Sequence, residues 1–155
     1  MNLKKQQLLQ HYESSIRFVQ SLQSVSEQSW RKPVAPEKWT VAEVLAHLIP
    51  WDEFVTTKRL PFLFTTGALP KGPLANEVNE KAAAKARVVS KQEIIEVFVT
   101  SRQTLIADVQ SIPDDKWQQT FYIGETELTL FTYLNGLAKH DLHHFEQIRG
   151  ALNYQ

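Results

Sequence analysis

The sequence predicts an all-α chain folded as a four-helix bundle, and three observations carry that prediction. Four long stretches repeat their apolar residues every three or four positions rather than in alternation. Only five glycines and seven prolines interrupt 155 residues. Two helix-opening signatures, TVAE at 40–43 and SKQE at 90–93, stand directly before two of those stretches.

The elements follow in order. A first helix is expected over residues 3–25, with Leu8, Tyr12, Ile16, Val19 and Leu22 on one face. QSWRKPVAPEKW, which holds two prolines, connects it to the second helix. That helix opens at Thr40, whose hydroxyl can accept from the Glu43 N–H while the Glu43 carboxylate reaches back. Its apolar face holds Val41, Val44, Leu45, Leu48, Trp51 and Val55. Pro50 lies inside the pattern, cannot bond to the Ala46 carbonyl, and predicts a kink or break one turn after His47. Residues 61–74 hold three prolines and two glycines and predict an irregular segment. A short Ala-rich helix is expected over 75–87, as an extra element between the second and third long helices. The third opens with a capping box at Ser90 and Glu93, runs through Ile94, Phe98, Ser101, Leu105 and Val109, and ends before Pro113. One turn of helix at 114–117 and a short extended piece around Gly124 lead to the last helix, 129–152. The connections leave the order of the helices around the bundle open.

Length and composition bound the rest. The chain has the size of one domain, 1–155. Lysine plus arginine and aspartate plus glutamate number 17 each, which gives no basic footprint for a nucleic acid. The absence of cysteine excludes disulfides, thiolate ligands and a cysteine nucleophile, so any metal must sit on nitrogen and oxygen. No signal-peptide core or membrane-length apolar run is present, and a soluble, cytoplasmic protein is expected.

KHDLHHFEQI, residues 139–148, concentrates three of the five histidines. On a helical wheel of the last helix, His144 lies roughly 60° and His140 roughly 100° from the apolar direction, while His143 lies roughly 160° away. His140 and His144 therefore share a flank with the i, i+4 spacing that can place two imidazoles on one ion, and His143 points to solvent. His47 lies on the matching flank of the second helix. Three imidazoles from two helices would leave positions open on the ion, as in catalytic rather than structural sites.

Asp141 falls near the centre of the last helix's apolar face, where an unpaired carboxylate is costly. It predicts either a bond to a ligand imidazole or a buried link to Arg, Lys or a tryptophan N–H, and Asp52 carries the same two readings. Asp52, Glu53 and Asp141 are the candidate general bases, with no spacing that singles one out. His11 has no spacing partner and is expected to be a surface or satisfied histidine.

WTVAEVLAHLIPWDEF and HDLHHFEQI together resemble the DinB-like superfamily over essentially the whole chain. The most specific parts are W-[ST]-x-x-[ED]-x-x-x-H-x-x-x-W, here Trp39 to Trp51, and H-x-x-x-H followed by Gln147 and Ile148. The resemblance implies a four-helix bundle with one divalent metal, zinc or nickel first and manganese or iron next, held at the positions of His47, His140 and His144. It implies hydrolysis, or transfer and isomerisation with a low-molecular-weight thiol that this cysteine-free chain would take up as cosubstrate. Homodimers are frequent in the family. The alternative function is a non-catalytic, stress-related bundle that binds a small molecule or a metal.

Overall fold

The computed structural model of the chain describes residues 2–65 and 69–153. In chain order its helices and strands are α1 (Leu3–Ser21), α2 (Glu27–Trp30), α3 (Val41–Phe54), α4 (Ala75–Ala86), α5 (Lys91–Ser111), β1 (Thr120–Ile123), β2 (Thr126–Thr129) and α6 (Leu130–Leu152). The four long helices α1, α3, α5 and α6 form the bundle, and α4 is the short extra helix, packed on α3. α5 packs against both α1 and α3, and α6 does the same. The first two long helices therefore face each other across a diagonal, and so do the last two.

The core explains how α3 and α6 lie together. Val41, Val44, Leu45 and Leu48 share one buried cluster with Phe145, Ile148 and Ala151, near the end of α6. Val55, just past α3, shares the other with Leu130, Leu134 and Ala138, near the start of α6. The two helices run antiparallel, and this brings the middle of α3 to the histidine-rich turns of α6.

Local signals account for the ends of α3, α5 and α6. The Thr40 hydroxyl accepts from the Glu43 N–H at 3.2 Å and the Glu43 carboxylate accepts from the Thr40 N–H at 3.0 Å, completing the expected box. The buried Glu43 carboxylate also pairs with Arg87 at 2.9 Å. At Ser90 only the first half forms, with the hydroxyl accepting from the Glu93 N–H. α6 opens on a box the sequence pattern did not suggest, between Thr129 and Thr132.

Three expectations change. Helix α3 continues through Pro50 to Phe54 and does not break; a proline removes one donor, while Leu48, Asp52 and Val55 on either side of it are buried. The irregularity comes later, as a wide π turn at Val55–Arg59 followed by a 3-10 turn at Leu60–Phe62. The extended piece around Gly124 is a β-hairpin, with Thr120 opposite Thr129 and Ile123 opposite Thr126. Gly124 sits at its tip with φ +60°, where a side chain would be strained. In α5 it is Arg102, not Ser101, that turns into the core, at 1% exposure. The middle of the irregular segment expected over 61–74, residues 66–68, lies outside the described residues.

Candidate metal centre

His47 is carried inward by the middle of α3 and is 2% exposed. Its Nδ1–H donates to the carbonyl of Val44, one turn back. A carbonyl can only accept, so the proton is on Nδ1 and the lone pair of the neutral ring is on Nε2. Burial is the first cause that pushes His47 down to about 4, with His144 and His140 adding to it, and the ring is neutral at neutral pH. Trp39 packs against it with ring centroids 5.0 Å apart.

His144 repeats the arrangement on α6. Its Nδ1–H donates to Gln147 Oε1 at 2.7 Å, which again leaves the Nε2 lone pair free. Burial holds its pKa below the ordinary value. His140, one turn earlier and exposed, brings its Nε2 to 3.0 Å from His144 Nε2. The His47 ring stands 4.5 Å from that of His144 and 5.9 Å from that of His140, edge to face in both cases. One nitrogen from each of the three lies within 4.8 Å of the other two.

This donor set fits a divalent ion. Two nitrogens on one first-row ion, each at about 2.0–2.1 Å and separated by a right to tetrahedral angle, stand about 2.8–3.4 Å apart, and the observed 3.0 Å falls in that span. Outer bonds to Val44 and Gln147 fix two of the three tautomers, as is usual for metal-ligating histidines. Three imidazoles would leave a divalent ion's charge uncancelled and would not fill its coordination shell, and the cluster meets solvent at the exposed His140.

The candidate carboxylates sit elsewhere. Asp52 accepts from Arg102 Nε and Nη2 at 2.8 and 3.0 Å. Asp141 accepts from Arg102 Nη1 at 2.8 Å and pairs with His11 Nε2 at 2.9 Å. Ser15 takes a further Arg102 bond at 3.0 Å. Burial by itself would raise the Asp141 carboxyl, but Arg102 and His11 outweigh it and hold it below the carboxylate range. At Asp52 burial wins and the value rises. Glu53 is exposed and lines a groove formed with α4 and α5. Among the described residues, none of these carboxylates bonds to a histidine of the cluster. Of the two readings of Asp141, the buried arginine link is what the fold contains, together with an imidazole that belongs to His11. His143 is exposed, as expected.

Arg102 is the residue that the periodicity of α5 did not single out. It joins Asp52 of α3 to Asp141 of α6, next in sequence to His140, and so ties together the two helices that carry the cluster. Two acidic residues at the centres of apolar faces were the available signal, because they require a cation from a facing helix.

The family model of the DinB superfamily matches residues 10–148. The chain belongs to the DinB superfamily. Among solved structures it is similar to YfiT from Bacillus subtilis, described as a probable metal-dependent hydrolase with an unusual four-helix bundle topology. The match has a TM-score of 0.77 at 16% identity and covers 97% of this chain and 87% of that one. No curated protein matches the sequence. For a DinB-superfamily member, the convergence of His47, His140 and His144 falls on the positions that the sequence resemblance implied.

Proposed function

We propose that this DinB-superfamily chain is a metal-dependent hydrolase whose divalent ion is held by His47, His140 and His144. The observation that carries the reading is the meeting of three imidazole nitrogens within 4.8 Å, two of them with their opposite nitrogens already engaged. When bound, the ion supplies Lewis acidity toward a substrate oxygen and lowers the pKa of a water or thiol at its open positions. His47 is the fixed member, held by Val44 and walled by Trp39, whereas His140 stands at the solvent-facing edge where a substrate enters. Asp52 and Asp141 act on the site through Arg102, as positioning residues that keep α3 and α6 in register. With those carboxylates engaged, proton transfer falls to water at the exposed edge. The description of YfiT favours hydrolysis over thiol transfer as the reaction.

Metal content decides first. Protein purified without a histidine tag should carry, or take up on titration with zinc, nickel or manganese, one ion per chain. Failure to bind any of them overturns the reading. Turnover of ester and amide substrates that requires the ion then distinguishes a hydrolase from a binder, and dependence on an added low-molecular-weight thiol would assign transfer in its place.

A further inference from the structure

Helix α4 is held on α3 along one flank and opens a groove along the other. Arg87 reaches Glu43 at 2.9 Å and Asn79 accepts from the Trp51 indole N–H at 2.8 Å, so the two helices are antiparallel and Lys81 comes level with Ile49. α5 packs on α3 as well. Between α4 and α5, over α3, lies a groove of about 480 Å³, a size typical of small-molecule sites. Its walls are aliphatic, with Ile49, Val78, Ala82, Val89, Ile94 and Val97, and among the described residues no aromatic ring lines it. Four charged side chains do: Lys81 and Lys85 from α4, Glu53 from α3 and Glu93 from α5. Among the described residues none of the four enters an ion pair, although Arg87 of the same helix does so with α3.

Pro50 adds a further polar group. In a helix the N–H of residue 50 bonds to the carbonyl of residue 46, and proline has no N–H to give. Ala46 and Pro50 both line the groove, so the carbonyl left without its ordinary donor lies on the groove's floor, with Glu53 one turn beyond Pro50. Acceptors on α3 thus face cations on α4 across an aliphatic interior. A fatty acid would leave the acceptors without a donor, and an alkylamine would leave the lysines without an anion. A zwitterion answers both. We propose that this groove binds a free amino acid with a branched aliphatic side chain. Its ammonium sits on the Ala46 carbonyl and the Glu53 carboxylate, its carboxylate on Lys81, and its side chain against the valines and isoleucines of the walls. None of His47, His140 and His144 lines the groove, and the site does not depend on the metal reading.

The test is a titration of the isotope-labelled full chain, followed by NMR, with L-leucine, with 4-methylpentanoate, which lacks the ammonium, and with 3-methylbutylamine, which lacks the carboxylate. Leucine should bind saturably and shift the amides of Ile49, Val78 and Val97. It should bind roughly tenfold more tightly than either analogue, the worth of one charge-assisted bond. Lys81→Gln, at an exposed position, should remove the advantage over the amine. Pro50→Ala returns an N–H to the Ala46 carbonyl. It should raise the melting temperature while reducing the advantage over the acid several-fold, a pairing that a merely structural proline would not give. Equal binding of leucine and either analogue, no saturable binding, shifts confined to His140 and His144, or an unchanged leucine preference in Pro50→Ala would each overturn the proposal.

Discussion

The two polar clusters that α3 and α6 share differ in what completes them. Around Arg102 the protein supplies every partner itself: Asp52, Asp141, His11 and Ser15 close the network inside the core. At His47 and His144 the opposite nitrogens are engaged, while the inward nitrogens of the His47, His140 and His144 cluster face one another. A closed network holds helices together; a cluster with lone pairs at a solvent edge is suited to take up a group that the chain does not provide. The difference is the reason to read one cluster as structural and the other as functional, although both are built from ionisable groups on the same two helices.

The largest expected effect breaks the closed cluster. Arg102→Ala leaves two buried carboxylates without their cation and should cost about 3–5 kcal/mol in urea unfolding. His140→Ala, at an exposed position, should change the metal-free protein by no more than about 0.5 kcal/mol. Comparable losses from the two would erase the distinction between the clusters. Metal titration inverts the order. His140→Ala should weaken binding by at least about a hundredfold, the upper end of what the loss of even an outer partner costs, whereas His143→Ala should bind as the wild type does. A His140→Ala chain that holds metal unchanged would remove it from the ligand set.

How far each cluster was legible in the sequence follows from the same contrast. The histidine cluster was readable because ligands must share a helix flank: i, i+4 spacing and wheel phase select His140 and His144 over His143, and His47 has the matching phase on α3. Half of the Arg102 cluster was readable, since Asp52 and Asp141 stood out as acids on apolar faces. The cation did not stand out, because the phase of α5 admits Ser101 nearly as well as Arg102 and only the facing carboxylates decide between them. The helices were legible through caps and periodicity, with Thr40 and Glu43 the clearest case. Their diagonal order was not, because it depends on which faces meet in the core. Pro50 misled for a related reason: a missing donor is a local cost, and packing along α3 outweighs it.

A smaller effect is the pH response of the metal-free protein. Burial lowers His47 to about 4 from an ordinary 6.5, so between those values the unfolded chain binds the proton that the folded chain refuses. Stability should therefore rise with pH from about 4 to 6.5 and level off above, a change of at most about 3 kcal/mol. Within the closed cluster Asp141 responds lower down: held below the carboxylate range by Arg102 and His11, it contributes stability above that range and loses it as pH falls through its depressed value. Melting temperature against pH for wild type and His47→Gln separates the two, since the substitution should flatten the pH 4–6.5 slope and leave the more acidic loss in place. An unchanged slope in His47→Gln would mean that the buried imidazole is not its source.

The smallest effect sharpens the comparison at a single bond. Among the described residues Gln147 bonds to the open cluster through His144 Nδ1, at 2.7 Å, so its contribution should appear in metal affinity and not in folding. Gln147→Ala frees the ring to exchange tautomers and turn, and an outer partner of this kind is worth roughly tenfold to a hundredfold in affinity. The urea midpoint should stay within about 0.5 kcal/mol of wild type, because Gln147 is only half-buried at the edge of the bundle. Gln147→Glu keeps an acceptor in place and adds a charge that raises the basicity of His144, and should restore the affinity that alanine loses. The pair tests the bond itself: rescue by glutamate follows if the oxygen orients the ring, whereas equal affinities in all three chains would show that packing of His144 against His47 and His140 orients it without help.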